Sequence, residues 1–269
     1  MLRPRIIPCL LVRNKGLVKT VGFKDGKYVG DPINAVRIFN EKEADELMIV
    51  DIDATVKSQK PDLGMIKKWA AECRMPLCYG GGVTSAAQAK AIIGLGVEKV
   101  AVSSAAMARP ELVEEMSTEI GSQSVVVFLD VKKTKTDAYE VWTHNAKRNT
   151  NSCPIAKAME FQGMGVGEIV VNSIDLDGTM NGYDLDLASQ IRSAISVPVT
   201  VLGGAGSLQD VEKLISQFGL VGASAGSLFV FKGIYKAVLI NYPSPSMKDA
   251  ILARAFEVWA TKSPRVGLR

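Results

Sequence analysis

Short apolar runs rich in β-branched residues recur along this chain and are separated by segments with helical spacing. Eight runs predict strands: Ile6–Val12, Glu46–Asp51, Leu77–Tyr79, Lys99–Val102, Ser124–Asp130, Glu168–Asn172, Val199–Leu202 and Gly219–Ala223. Intervening stretches predict helices: Asp62–Cys73, Ala86–Gly94, Glu111–Ile120, Ile155–Gln162, Asp184–Ile195 and Leu208–Phe218. Such alternation is typical of βαβ units around a parallel sheet. Eight units in one domain's length favour a closed (β/α)8 TIM barrel, with a doubly wound open sheet as the alternative.

The two halves of the chain resemble each other when one is shifted by 122 residues. The shift superimposes Glu46-Leu-Met-Ile-Val on Glu168-Ile-Val-Val-Asn, Asp53 on Asp175, and Pro76-Leu-Cys-Tyr-Gly-Gly-Gly on Pro198-Val-Thr-Val-Leu-Gly-Gly. Internal similarity at a fixed period indicates a repeated structural unit. We therefore expect a barrel built from two half-barrel repeats, with two equivalent sites at its C-terminal face.

The alternating pattern breaks near residue 241, in the segment Asn-Tyr-Pro-Ser-Pro-Ser. A last amphipathic stretch, roughly Met247–Thr261, follows it and predicts one more helix. We expect the barrel over residues 1–240 and a C-terminal helical extension over residues 241–269.

Composition limits the classes of function. The chain has 269 residues, 47% hydrophobic and 22% charged, and its net charge of +4 is too small to indicate a nucleic-acid partner. No apolar run approaches the ~20 residues of a membrane helix, and the stretch from Met1 to Val12 is interpreted as a first strand. The four cysteines show no metal-ligand spacing. We expect a cytoplasmic protein with no metal, no cofactor, no nucleic-acid partner and no membrane contact.

Two glycine clusters indicate phosphate sites. Gly80-Gly81-Gly82 ends the third predicted strand and Gly203-Gly204-Ala205-Gly206 ends the seventh; small residues follow one strand later, at Ser103-Ser104 and at Ala225-Gly226-Ser227. Glycine lets backbone N–H groups approach an anion, and loops after strands 7 and 8 are the usual phosphate cradle of a barrel. We expect one phosphate at Gly82, Ser103 and Ser104, and another at Gly178, Gly203, Gly204, Ala205, Ala225 and Gly226.

Polar and basic residues surround the same predicted face. Asp177-Gly178-Thr179 follows the sixth strand, Lys15, Lys19, Lys24 and Lys27 follow the first, and Lys132, Lys133 and Lys135 follow the fifth. Most of these lysines are expected to be solvated, but together they predict a positive face that suits an anionic ligand.

Several motifs together resemble the cyclase subunit of imidazole glycerol phosphate synthase over about residues 1–235. They are Arg5-Ile-Ile-Pro-Cys-Leu, Lys19, Gly30-Asp31-Pro32, Asp45-Glu46-Leu, Gly80-Gly81-Gly82, Gly121-Ser122-Gln123-Ser124, Ser173-Ile-Asp-Leu-Asp177-Gly-Thr and Gly203-Gly204-Ala205-Gly206. The resemblance implies a (β/α)8 barrel with a glutaminase subunit on its N-terminal face. It also implies ammonia passing through the barrel to a bis-phosphorylated ribonucleotide at the C-terminal face.

The resemblance implies two catalytic aspartates, one at the end of strand 1 and one at the end of strand 5. Asp130 ends the fifth predicted strand, but Leu11 stands where the other aspartate is expected. Leucine cannot transfer a proton, and losing a general acid or base typically lowers the rate ~10²–10⁴-fold. His144, the only histidine, follows the fifth strand; it is a candidate substitute, although a lone loop histidine is more often a surface group.

The resemblance also implies a ring of four charged residues that closes an ammonia channel at the strand starts. Matching positions carry the family's charge types, at Arg5, Glu46, Lys99 and Glu168. A purely structural ion-pair plug is the alternative interpretation. A complete ring beside a missing catalytic aspartate suggests that the conduit is kept while the cyclase chemistry is lost.

This combination is similar to an offshoot of the family, the second-copy subunits associated with acetamidino formation on surface-polysaccharide sugars. There a glutaminase-like partner is thought to feed ammonia to a separate sugar amidotransferase. Three alternatives remain open: a histidine-pathway cyclase that tolerates Leu11, a related barrel isomerase that would not need the ring, and a non-catalytic scaffold that binds a phosphorylated ligand.

Overall fold

A computed structural model describes residues 3–262 of the chain. Its strands are β1 (Arg5–Arg13), β2 (Gly16–Val21), β3 (Lys24–Gly30), β4 (Leu47–Asp51), β5 (Leu77–Gly80), β6 (Lys99–Val102), β7 (Val125–Lys133), β8 (Tyr139–Thr143), β9 (Arg148–Asn149), β10 (Glu168–Ser173), β11 (Val199–Leu202), β12 (Gly222–Ala225), β13 (Phe231–Lys232) and β14 (Ala237–Val238). Its helices are α1 (Pro32–Glu41), α2 (Leu63–Glu72), α3 (Ala86–Ile93), α4 (Ser104–Ala108), α5 (Glu111–Ile120), α6 (Pro154–Gly163), α7 (Leu185–Ala194), α8 (Leu208–Phe218), α9 (Ser227–Val230) and α10 (Pro245–Lys262).

Eight parallel strands close into a barrel in the order β1, β4, β5, β6, β7, β10, β11 and β12, with β12 pairing back to β1. This confirms the predicted (β/α)8 fold and excludes the open sheet. Sequence-predicted strand boundaries match to within a few residues, and the largest shifts are at the end of β7, which continues to Lys133, and at the start of β12, which begins at Gly222. Parallel strands buried on both faces need apolar side chains throughout, which is why these runs were readable from sequence.

Three antiparallel hairpins follow the barrel strands β1, β7 and β12. β2 pairs with β1 and β3, β8 pairs with β7 and β9, and β13 pairs with β14. All three lie outside the predicted strands. The first two are continuous with barrel strands and therefore place their turns beside the mouth of the barrel.

Helix α1 is a further element that the sequence pattern left unassigned. The Asp31 side chain caps its N-terminus by accepting hydrogen bonds from the backbone N–H groups of Ile33 and Asn34, and Pro32 occupies the first turn. Its buried positions Pro32, Ala35, Val36 and Phe39 follow helical spacing. A cap residue followed by proline was the signal that could have located it.

The core has two parts. An outer cluster fills the space between barrel and helices, whereas a smaller inner cluster fills the barrel itself. The inner cluster consists of Ile7, Cys9, Met48, Cys78, Ala101, Val126, Phe128, Val170 and Leu202, with Leu11 and Val50 packed against it. The barrel interior is therefore largely apolar, with the buried hydroxyl of Ser224 beside Met48 and that of Thr200 bonded to Glu168.

Helix α10 packs against α8 and reaches the loop after α1. The Lys248 ammonium donates to the Glu43 carbonyl over 2.9 Å and to Asp45 Oδ1 over 2.8 Å. Tyr242, just before α10, donates its hydroxyl to the Ile6 carbonyl. The division of the chain at residues 240 and 241 stays a prediction. Residues 263–269 of the expected extension lie outside the described residues. Within residues 3–262, no helix combines the length and apolarity needed to cross a membrane.

Candidate functional site

A cleft of about 1220 Å³, counting its open mouth, lies at the C-terminal ends of the barrel strands. It is lined by residues that the sequence analysis singled out: Leu11, Lys19, Gly82, Ser103, Ser104, Asp130, His144, Asp177, Gly178, Gly203, Gly204, Ala205, Ala225 and Gly226. The fold thus gathers both halves of the predicted phosphate site, the predicted catalytic aspartate and the lone histidine in one place. Their chemical roles stay predictions.

Asp130 lies at the end of β7, inside the cleft. Asn172 Nδ2 donates to Asp130 Oδ1 over 2.9 Å, and Ser103 Oγ lies 3.5 Å from Asp130 Oδ2. Burial raises the pKa of Asp130 to about 6, although the bonds from Asn172 and Ser103 oppose the rise. A carboxyl with this pKa can exchange a proton near neutral pH, as a general base or acid must.

Asn172 was missed by the sequence reasoning, which marked it only as the end of a strand. Its position opposite Asp130 follows from the β7–β10 register, where the two residues are direct partners. Asn172 Oδ1 is buried and has no hydrogen-bond partner among the described residues. An unpaired buried acceptor in a cleft is a place where a ligand donor would be stabilised.

Leu11 occupies the corresponding place in the first half-barrel. It pairs with Val50 across β1 and β4, as Asp130 pairs with Asn172 across β7 and β10. Leu11 and Val50 pack against the inner apolar cluster, so this side of the cleft floor carries no proton-transfer group at either position. The cleft floor is therefore polar in one half and apolar in the other.

The first expected phosphate subsite combines a glycine turn with the start of a short helix. Gly82 has φ +70°, and a Cβ there would lie 2.5 Å from the Gln59 carbonyl oxygen. Ser103 and Ser104 begin α4, whose first backbone N–H groups have no partner within the helix. Only glycine permits this close approach, which also offers a purely structural reason for the motif.

The second expected subsite is built in the same way from the other half. Gly204 has φ +98°, and a Cβ there would lie 2.0 Å from the Gly182 carbonyl oxygen. Gly178, with φ +71°, approaches the Thr20 carbonyl similarly. The cleft lining continues to Gly226 and Ser227 at the start of α9. Two glycine turns, each beside a short helix, therefore face one cleft.

Lys19 is the only lysine or arginine among the cleft-lining residues that the structure describes. Its ammonium is buried, lies 3.4 Å from the Cys9 carbonyl and sits against Gly226. Burial lowers the pKa of Lys19, although the negative charge of Asp177 acts to raise it. The other predicted basic residues lie outside the cleft: Lys15, Lys24, Lys27, Lys132, Lys133 and Lys135.

The predicted positive face therefore does not extend into the cleft, which is lined by three carboxylates, Asp51, Asp130 and Asp177. Lys132 and Lys133 instead lie over the rings of Trp142 and Tyr139. Lysines on exposed hairpins turn outward because water solvates an ammonium better than a half-buried cleft wall does. An anion in the cleft would depend on backbone N–H groups and Lys19.

Asp177 connects the β10 loop to the β2–β3 hairpin. Thr20 Oγ1 donates to Asp177 Oδ2 over 2.6 Å, and the Phe23 backbone N–H donates to the same oxygen over 3.1 Å. This carboxylate holds the hairpin over the cleft, so its visible role is to position cleft walls. Thr20 and Phe23 also line the cleft and were not found from the sequence.

His144 lies on the turn between β8 and β9, at the cleft wall. Its backbone N–H donates to Ser104 Oγ over 3.3 Å, and its Nδ1 lies 3.0 Å from Thr143 Oγ1. Burial lowers the pKa of His144, and the charge of Arg148 lowers it further. The neighbouring Asn145 donates from Nδ2 to the Ile52 carbonyl over 2.7 Å and so ties this turn to the β4 side of the cleft.

The four charged residues expected at the strand starts form one ring at the opposite end of the barrel. Arg5 contacts Glu46 and lies 2.7 Å from Glu168, while the Lys99 ammonium lies 2.9 Å from Glu46 and 2.8 Å from Glu168. Glu46 and Glu168 are almost fully buried, whereas the side chains of Arg5 and Lys99 remain 25% and 17% exposed. Each carboxylate therefore faces both cations, and the cations are the more exposed members of the ring.

The charges in the ring compensate one another. Burial would raise the pKa of Glu168, but Arg5 and Lys99 outweigh it and hold that pKa below its usual value. Burial and the neighbouring Glu168 raise the pKa of Glu46. Buried charges persist only when paired, and removing one partner of such a set typically costs 3–5 kcal/mol. The paired ring closes this end of the barrel.

Comparison with known proteins agrees with this architecture. The model of the histidine biosynthesis protein family matches residues 5–236. A protein of Vibrio vulnificus, provisionally named imidazole glycerol phosphate synthase subunit hisF3, is 55% identical over 253 residues, which cover 94% of this chain and 97% of that protein.

Two further relatives carry similar provisional names. The subunit HisF of Leptospira interrogans is 55% identical, covering 93% of this chain and 99% of its own length. The subunit hisF2 of Pseudomonas aeruginosa is 47% identical with the same two coverages. The chain therefore belongs to the histidine biosynthesis protein family, among its HisF-like subunits of imidazole glycerol phosphate synthase.

Proposed function

We propose that this chain is the ammonia-conducting, phosphate-binding subunit of a glutamine-dependent complex that forms acetamidino groups on a surface-polysaccharide nucleotide sugar. One contrast carries the proposal. The charged ring at Arg5, Glu46, Lys99 and Glu168 is complete, whereas Leu11 removes one of the two carboxylates that the cyclase reaction needs. A subunit with an intact entrance and half of the catalytic pair is suited to delivering ammonia to another enzyme.

The barrel interior supports passage of neutral ammonia. Cys78 is the strand partner of the ring residue Lys99, and the Cys9 carbonyl lies 3.4 Å from the Lys19 ammonium at the cleft. The inner cluster, to which both cysteines belong, thus extends from ring to cleft. A largely apolar interior admits an uncharged molecule and disfavours ammonium, whose desolvation is costly.

The N-terminal face is the proposed docking site of a glutaminase-like subunit. Ammonia has to enter where the ring closes the barrel, and Arg5 and Lys99 are the exposed members there. We expect that interface to bury at least ~1,000 Å², as specific complexes do. We place this complex in the cytoplasm, where glutamine and nucleotide sugars are available.

At the other end, the cleft is proposed to hold a phosphorylated ligand. The two glycine turns at Gly82 and Gly204 line one cavity, so a ligand with a phosphate at each end could bind both. A separate sugar amidotransferase would then receive ammonia at the cleft.

The test is to purify the chain with a glutaminase subunit of the same organism and to follow amidation of the sugar by the third enzyme. Lys99→Ala should uncouple glutamine consumption from amidation, because Glu46 and Glu168 would then share only Arg5 and the closed entrance would be disturbed. Activity with free ammonium should stay. Lys90→Ala serves as a control, since Lys90 is an exposed lysine paired with Glu119 on the outer surface.

If Lys99→Ala leaves glutamine-driven amidation unchanged, or if the complex never amidates the sugar with glutamine, the proposal is wrong.

A second candidate, a histidine-pathway cyclase, is favoured by Asp130, whose pKa near 6 and contact with Asn172 keep a working acid–base group in the cleft. Normal ammonia-dependent cyclisation of the family's ribonucleotide by the unmodified chain would favour that candidate.

A further inference from the structure

The hairpin formed by β13 and β14 exposes the two most accessible large apolar side chains of the described residues. Ile234 is 88% exposed and Tyr235 is 90% exposed, both in the turn between the strands. Val238 and Leu239 add further exposed apolar surface directly after the turn. Scattered exposed apolar residues are common, but a contiguous group on one protruding element marks an interaction surface.

The base of this hairpin is held firmly. The Leu239 backbone N–H donates to the Val230 carbonyl over 2.9 Å, and the Asn241 backbone N–H donates to the Phe229 carbonyl over 2.9 Å. Phe229 and Val230 are fully buried in the outer core. The base of the hairpin is therefore fixed to the core. A hairpin of only two strands cannot bury the apolar side chains of its own turn, so they stay exposed.

The hairpin stands at the rim of the cleft. It begins at Phe231, four residues after the cleft-lining Ser227, and the Lys27 ammonium lies 5.4 Å from the centre of the Phe231 ring. Lys27 belongs to the β2–β3 hairpin, which supplies Lys19, Thr20 and Phe23 to the cleft wall. Whatever covers the turn of β13–β14 would also lie beside the cleft mouth.

The surroundings of the apolar turn are basic. Four exposed lysines flank it on the two hairpins, with Asp25 the single exposed carboxylate among residues 21–28 and 231–239: Lys24, Lys27, Lys232 and Lys236. Val21 and Tyr28 on β2 and β3 are exposed as well, so the two hairpins hold six of the twelve exposed large apolar side chains described. The complementary partner is an apolar pocket with an acidic rim.

We propose that the β13–β14 hairpin is the docking element for the ammonia-consuming enzyme, which inserts Ile234 and Tyr235 into an acidic-rimmed apolar pocket and so covers the cleft mouth. This inference rests on the proposed function, since only a chain that exports ammonia needs a receiver at this end. Ammonia that escapes into water becomes ammonium, which has no lone pair for attack. A receiver docked at the rim keeps the ammonia neutral.

The experiment measures binding and transfer separately, with the full complex of this chain and its glutaminase. Ile234→Ser together with Tyr235→Ser removes the apolar turn at positions too exposed to affect folding. Met159→Ser is the matched control, because Met159 is 55% exposed on α6, and strands β10 and β11 lie between that helix and β12. The probe is the purified sugar amidotransferase of the same organism.

We expect the double variant to weaken binding of the amidotransferase about 30-fold or more, the effect of losing an interface hot spot. Glutamine-driven amidation should fall accordingly, while ammonium-driven amidation and glutaminase binding stay unchanged. Lys232→Glu with Lys236→Glu should also weaken binding, and this loss should depend on salt concentration. The Met159→Ser variant should bind as the unmodified chain does.

Equal binding by the double variant and the unmodified chain would overturn the inference. Binding of the hairpin to vesicles of anionic phospholipid, with no binding to the amidotransferase, would overturn it in favour of a membrane surface. Failure of the proposed function looks different: the unmodified complex would then produce no amidated sugar from glutamine, while the binding comparison would still decide what the hairpin does.

Discussion

At the scale of single residues, the cleft floor differs between the two half-barrels at one pair of positions. Leu11 and Val50 are strand partners in the first half, and Asp130 and Asn172 are strand partners in the second. The first pair belongs to the apolar core, whereas the second forms a hydrogen bond. Of these two strand pairs, only the one that holds Asp130 carries an acid–base group.

Restoring a carboxyl group at Leu11 should restore part of a cyclase activity. We expect cyclisation of the family's ribonucleotide with ammonia by the unmodified chain to be slowed by the ~10²–10⁴-fold that a lost general acid or base costs, and Leu11→Asp to recover part of this factor. The measurement is single-turnover formation of product with saturating ammonium. Adding Asp130→Asn to Leu11→Asp should remove the gain, since both carboxyl groups are needed. Equal rates for the unmodified chain and Leu11→Asp would show that Leu11 is not the defect.

The pKa of Asp130 predicts a stability that falls as pH rises. Since burial raises the pKa of Asp130 to about 6 in the folded chain, against about 3.9 when unfolded, folding favours the protonated acid. The stabilisation that the protonated Asp130 side chain gives the folded chain is fully present below about pH 4 and is lost as pH rises through 6. The difference corresponds to about 3 kcal/mol at most.

Asp130→Asn should therefore raise the free energy of unfolding by about 2–3 kcal/mol at pH 7.5 and by much less at pH 4.5. Urea denaturation at both values measures this. Asp137→Asn is a suitable control, because Asp137 is an exposed turn residue with φ +60°, a conformation that asparagine also accepts. A gain for Asp130→Asn that is equal at both pH values would contradict the raised pKa.

At the scale of elements, the glycine turns and the helices beside them are the repeated unit of the cleft. We expect crystals grown in phosphate to show anions at Gly82, Ser103 and Ser104 and at Gly178, Gly204, Ala205 and Gly226. Gly204→Ala should abolish the second anion alone, since its Cβ would lie 2.0 Å from the Gly182 carbonyl oxygen. Gly163→Ala, where a Cβ meets nothing within 4 Å, is the matched control. Water alone at both places under saturating phosphate would refute the assignment.

The elements that could be predicted from sequence are those buried on a regular period. Strands such as Lys99–Val102 and helices such as Leu208–Phe218 have the same limits in prediction and structure, because buried parallel strands and amphipathic helices leave a direct record in apolar spacing. The hairpins left a weaker record. In β3, four of seven positions are exposed charged or aromatic side chains, so its pairing depends on β2 and not on an apolar run.

The residues of the candidate site likewise divide into those that the sequence predicted and those that it did not. The glycine turns were recognisable because strand ends and the half-barrel repeat fix their positions, and Asp130 was recognisable through the family resemblance. Asn172, Thr20 and Asn145 were not, because each acts through a partner far away in sequence: Asn172 on Asp130, Thr20 on Asp177 and Asn145 on Ile52. Side-chain contacts of this kind depend on register and loop geometry, which a single sequence does not encode locally.

At the scale of the whole molecule, the first and last parts of the chain are joined at one buried carboxylate. Asp45 accepts a hydrogen bond from the Ile6 backbone N–H over 2.9 Å and forms an ion pair with Lys248 over 2.8 Å. Tyr242 donates to the Ile6 carbonyl beside them. Strand β1, the loop before β4 and helix α10 are thereby fixed together, next to the ring residues Arg5 and Glu46.

Removing Lys248 should therefore destabilise the whole barrel and not only α10. The side chains of Lys248 and Asp45 are 6% and 2% exposed, and breaking a buried pair typically costs 3–5 kcal/mol because the remaining charge is left without its partner. We expect Lys248→Ala to lower the free energy of unfolding by about 3 kcal/mol, measured by urea denaturation at pH 7.5. Asp45 then keeps its bond from Ile6 and its ion pair with the exposed Arg3 at 3.2 Å, so the expected loss lies at the lower end of that range.

The control for this prediction lies on the same helix. Arg254 forms two hydrogen bonds to Glu212 on α8, but its side chain is 58% exposed, and such surface pairs contribute only about 0–1 kcal/mol. Arg254→Ala should therefore change stability by less than about 1 kcal/mol. Equal losses for the two variants would show that α10 contributes through helix packing in general and not through the link to Asp45. A much larger loss for Lys248→Ala, with a single unfolding transition, would show that closure of the barrel depends on this link.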